Sequence, residues 1–110
     1  MKQFKLNDLI EWMDKNPDKK VNFAHPVINP PIPVKNYCLM CSFFSDVLKD
    51  ETFKSVSWDG HIAQNLEGDA IAEIELPECI SEVHLGIETH NNGQVYVKQI
   101  KERMIGKNWI

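Results

Sequence analysis

The sequence predicts an α+β fold, one small domain over residues 1–110 with N-terminal helices packed on a mostly antiparallel sheet. Three observations predict it. Apolar residues recur at helical spacing in the first half of the chain. They alternate with polar residues in the second half. Turn signals such as Asp59-Gly60 and Asn91-Asn92-Gly93 separate the alternating runs.

The first helix is expected in "LNDLIEWMDKNP". Leu6, Leu9, Ile10 and Met13 fall on one helical face. Asn7 is the expected N-cap, with Asp8 just inside, where the helix dipole favours negative charge. Pro17 forces Asn16 out of the helical region and ends the element. "KKVNFAH" alternates Val21 and Phe23 with polar neighbours and reads as a short strand. "HPVINPPIPV" carries Pro26, Pro30, Pro31 and Pro33. It lacks the backbone donors of a helix or a central strand, so an extended crossover is expected.

A second helix is expected in "NYCLMCSFFSDVLKDETF", capped by Asn36. Tyr37, Met40, Cys41, Phe44, Val47 and Leu48 form its apolar stripe. A buried strand over "YCLMCSFF" is the rival reading, because a continuous apolar run does not fix the period. "FKSVSW" then reads as a strand entering the Asp59-Gly60 turn, and "HIAQNLEGD" as a short edge and a turn. "AIAEIEL" alternates and stops at Pro77. "SEVHLGIETH" and "QVYVKQI" alternate on either side of Asn91-Asn92-Gly93 and form the best hairpin candidate. The last residues, with Ile100, Met104 and Gly106, suggest a helical turn ending at glycine.

Composition excludes several classes of function. Hydrophobic residues make up 43% of the chain and charged residues 25%, as in an ordinary folded domain. No apolar run approaches the roughly 18 residues of a membrane helix. Asn7, Asp8, Glu11 and Asp14 interrupt the stretch where a signal peptide would be apolar, so a cytoplasmic protein is expected. The three cysteines are an odd number, which argues against a closed disulfide framework and for reduced thiols.

Cys38 and Cys41 are the most conspicuous pair. With Cys79 and His84 they make a formal four-ligand zinc set. The bulky Leu39 and Met40 between them are unlike a metal knuckle. A thioredoxin-like dithiol needs a preceding parallel strand, which the proline-rich segment does not supply. Core packing explains these cysteines best, because unpaired cysteine behaves as a small hydrophobe. No cofactor is therefore expected. The histidines His25, His61, His84 and His90 show no metalloprotease spacing. Asp59 and His61 sit close enough in sequence for acid–base work, but turn geometry selects the same residues. No catalytic motif emerges, and the protein is not expected to be an enzyme.

Charge is uneven along the chain. The net charge is −4, yet residues 50–90 hold ten acids against Lys54 alone. Lys98, Lys101, Arg103 and Lys107 make the end basic. A nucleic-acid footprint there conflicts with the global acidity, and a solvated helix face is the simpler account. The acidic middle is the more informative feature. Trp58, Asp59, Glu67, Asp69, Glu73, Glu75, Glu78 and Glu82 are the candidate partner-binding residues. Glu73 and Glu75 share one strand face. A negative surface with an aromatic anchor repels nucleic acid and membrane headgroups and attracts a basic protein. The expected function is a non-catalytic inhibitor that covers the basic site of a partner, such as a nuclease toxin or a nucleic-acid-binding complex. Immunity proteins, antitoxins and phage-borne inhibitors work in this manner. Two other classes compete. One is a zinc- or thiol-dependent protein using Cys38, Cys41 and Cys79. The other is a structural subunit that joins a larger complex.

Overall fold

The computed structural model describes residues 1–22, 39–57, 59–78, 80 and 94–110. The expected crossover over 25–34, the strand over 81–90 and the 91–93 turn lie outside the described residues. So do Cys38, Trp58, Cys79, Glu82 and His84.

The chain opens with strand β1, Lys2–Lys5, which runs directly into helix α1, Leu6–Lys15. Strand β2 spans Lys20–Asn22 and helix α2 spans Leu39–Leu48. Three strands follow: β3, Phe53–Val56; β4, Ile62–Asn65; and β5, Ala70–Glu75. Strand β6, Gln94–Tyr96, leads into helix α3, Val97–Gly106. The main sheet has the order β1-β5-β4-β3, and β2 pairs with β6 in a second, two-stranded sheet. Among the described residues, pairings β3–β4, β4–β5 and β2–β6 are antiparallel, and only β1–β5 is parallel. The class is α+β, as its sequence pattern predicts.

Several elements depart from the expected boundaries. Helix α1 starts at Leu6, one residue before the expected cap at Asn7. β1 delivers the chain straight into the helix, so Asp8 does the capping by accepting the Lys5 backbone N–H at 2.8 Å. β4 is not an edge. It lies between β5 and β3, with Ala63 fully buried. The run "QVYVKQI" is strand only to Tyr96. The Val97 and Lys98 amides donate to Lys19 and Pro17 carbonyls at 2.9 and 3.0 Å, and the Tyr96 N–H donates to Gln99 Oε1 at 2.8 Å. These bonds satisfy donors that the start of a helix leaves open, and α3 begins there.

The core lies between the helices and one face of the main sheet. Leu9, Trp12 and Met13 enter it from α1, and Val97, Ile100 and Met104 from α3. α2 is buried all round in its first part, from Leu39 to Phe44, and this settles the helix over the rival strand. A helix apolar on every side sits inside a core and not on its rim. Phe43 stacks edge-on against Phe4, Trp12 and Phe44, with ring centroids 5.6, 5.9 and 5.3 Å away. Ala72 and Ile74 point inward from β5, which leaves Glu73 and Glu75 on the other face.

Candidate partner-binding face

The two turns that border β4 carry half of the described candidate acids: Asp59, Glu67 and Asp69. At one end, Ser57–His61 joins β3 to β4. The Ser57 N–H donates to Ile62 O at 2.9 Å, and the Gly60 N–H donates to Ser57 O at 2.8 Å. Gly60 has φ +79°, which a side-chain-bearing residue rarely adopts. The Asp59 carboxylate accepts the Ser57 hydroxyl at 2.5 Å and the His61 backbone N–H at 3.1 Å. The Ser57 hydroxyl holds the Asp59 carboxyl below the usual carboxylate range, partly opposed by burial. The hydroxyl proton of Ser57 is thus directed at Asp59 and not at a histidine ring nitrogen. The arrangement brackets a turn.

At the opposite end, Asn65–Asp69 joins β4 to β5. The Asn65 side-chain oxygen accepts the Glu67 and Asp69 N–H groups at 3.0 and 2.9 Å. Gly68, φ +83°, completes the reversal. This turn presents Leu66, 63% exposed, next to Glu67. The β3–β4 register pairs Phe53 with Asn65, which brings Asp50 and Glu51 to this same end. The Asp50 carboxyl lies below its usual range because the Thr52 hydroxyl and N–H donate to it. Asp50, Glu51 and Leu66 are absent from the candidates that charge and spacing select. Hairpin register is the only sequence signal that could place them.

The candidate acids therefore do not form one cluster. Glu67 and Asp69 stand at one end of β5. Asp59 and Glu78 stand near the other, about 17 Å along the strand. Glu73 and Glu75 lie between them on the outer face, beside Ile62 and Lys5 in the register. Trp58 and Glu82 lie outside the described residues.

Ion pairs engage three acids in and beside the first two helices, although Asp8, Glu11 and Glu102 form none among the described residues. Asp14 pairs with Lys101. Asp18 pairs with Lys98 at 3.3 Å, and Asp46 with Lys19 at 3.7 Å. Among the described residues, Glu67, Asp69, Glu73 and Glu75 form no ion pair. Two of the four C-terminal cations, Lys98 and Lys101, are thus spent on α1 and the residues after it.

Of the zinc set, only Cys41 is described. It lies in α2, 5% exposed. Among the described residues, no three His, Cys, Asp or Glu side chains converge as metal ligands. No described helix is long and apolar enough to cross a membrane. The chain matches no family model, no curated protein and no solved structure.

Proposed function

We propose that this protein is a cytoplasmic, non-catalytic inhibitor that covers a basic site on a partner protein, as immunity proteins, antitoxins and phage-type inhibitors do. The carrying observation is the run of carboxylates from Glu67 to Glu75, none of which is matched by a cation among the described residues. Asp14, Asp18 and Asp46, in and beside α1 and α2, are matched by lysines. Unmatched surface charge of one sign steers encounter with a surface of the other sign. The acids occupy two rigid turns and a strand, so little ordering entropy opposes docking.

The test is an affinity pull-down from the native source at low and moderate salt, read by mass spectrometry. The expected result is one stoichiometric basic protein whose capture weakens as salt rises. Absence of a basic protein at either salt overturns the proposal.

A further inference from the structure

Residues 107–110 make an unusual approach to the exit of β5. α3 ends with Lys107 N–H donating to Arg103 O at 3.0 Å, and Asn108 adopts φ +62°. That left-handed residue reverses the chain, and the Trp109 N–H donates to Met104 O at 3.0 Å. The reversal turns the Trp109 ring back onto the core. Its indole Nε1 donates to Glu78 Oε2 at 3.2 Å. From the other side, His61 Nε2 lies 3.4 Å from the Glu78 carbonyl oxygen, and the His61 carbonyl accepts the Ile74 N–H at 2.8 Å. Ile80 packs against the core beside Gly60. The chain leaving β5 is thus gripped between the 57–61 turn and Trp109.

We infer that residues 107–110 act as a strap that fixes the exit of β5 and so sets Glu78 beside the Asp59 turn. This rests on the partner-binding reading only for its consequence, which is that the strap positions the acids at this end of the face. The strap itself is a property of the isolated chain. Trp109 is a positioning residue, acting through Glu78. A strained backbone residue persists only where the surroundings hold it, and here the ring packing and the indole bond do so.

The test uses the full chain without a partner. Backbone amide order parameters are measured for residues 76 and 78–80 and for β4 and β5 in wild type, Trp109→Ala and Trp109→Phe. In wild type, Glu78 and Ile80 should show values near the rigid limit of about 0.85. In Trp109→Ala they should fall toward or below about 0.6, while β4 and β5 keep theirs. Trp109→Phe keeps the apolar ring and removes the donor, so it should fall in between. It also remains informative if the alanine variant fails to fold. Unchanged values at Glu78 and Ile80 in the variants overturn the inference. So does an equal loss throughout β4 and β5, which would make Trp109 an ordinary core residue. A failed partner search leaves these outcomes untouched.

Discussion

The indole nitrogen of Trp12 donates to the Asp46 carboxylate at 2.8 Å, across 34 residues of sequence, and ties α1 to α2. Trp12 is 7% exposed, so its N–H has little access to water. The same carboxylate lies 3.7 Å from Lys19 Nζ, which itself lies 5.8 Å from the Trp12 ring centroid. Removing the acceptor leaves a nearly buried donor unsatisfied. Asp46→Ala should therefore cost about 1–3 kcal/mol in urea denaturation. Asp46→Asn keeps an oxygen acceptor and loses only the partly exposed ion pair, so it should cost about 1 kcal/mol or less. Equal losses in the two variants would place the stabilisation in the charge and not in the hydrogen bond.

Phe43 bears on how α2 is built. The helical stripe of Met40, Cys41 and Phe44 omits it, yet it is fully buried at the junction of three aromatic rings. Phe43→Ala should destabilise by about 3–5 kcal/mol, as much as Phe44→Ala. A loss below about 1 kcal/mol, the scale of a surface substitution, would contradict the all-round burial.

These two cases show what is legible in the sequence. α1 is legible because Leu9 and Met13 repeat at the helical period. Its partner Asp46 is not, since a long-range bond between an indole and a carboxylate leaves no periodic trace. β1 escapes the pattern for a related reason. "KQFK" offers one apolar residue, Phe4, and its parallel partner β5 is some 70 residues away. The sign of the acidic segment is legible from a count. Its division is not, because successive hairpin turns alternate between the two ends of a sheet. Asp59 and Glu67 are eight positions apart in sequence and lie at opposite ends of β4.

The charge-steering reading makes a kinetic prediction. Glu73 and Glu75 share the outer face of β5 and form no ion pair among the described residues. Glu73→Lys with Glu75→Lys should slow association with a captured basic partner on the order of tenfold at low salt. The difference should nearly vanish near 1 M salt, where the Debye length is about 3 Å. Stopped-flow association at the two salts checks it. Unchanged association at low salt would remove β5 from the binding face.

Two glycines test the turns separately. Gly60 and Gly68 have nearly the same backbone, φ +79° and +83°. A Cβ on Gly60 would meet the buried Met40 Cγ at 3.0 Å, whereas one on Gly68 meets nothing within 4 Å. Gly68→Ala should therefore cost only the left-handed conformation, about 1–2 kcal/mol. Gly60→Ala should cost more, about 2–4 kcal/mol, because Met40 has to move within a packed core. Denaturation of both variants checks the order. Equal costs would show that Met40 gives way freely.

Asp59 makes the turn at the other end of β4 sensitive to acid. Its folded-state pKa is held down mainly by the Ser57 hydroxyl, against an unfolded value of about 3.9. A depressed carboxyl contributes stability that is fully present above the unfolded pKa and is lost as pH falls through the folded one. Ser57→Ala removes the main cause, so the Asp59 titration followed by NMR should shift upward toward the ordinary range. The variant should be less stable than wild type at pH 7, and the gap should narrow as pH drops below about 4. It should not close, because the Ile62 N–H also loses the Ser57 oxygen, 3.1 Å away, whatever the pH. An Asp59 midpoint that does not move would assign the depression to the backbone N–H of His61. A gap that widens in acid would mean that the hydroxyl favours the protonated carboxyl and raises its pKa instead of lowering it.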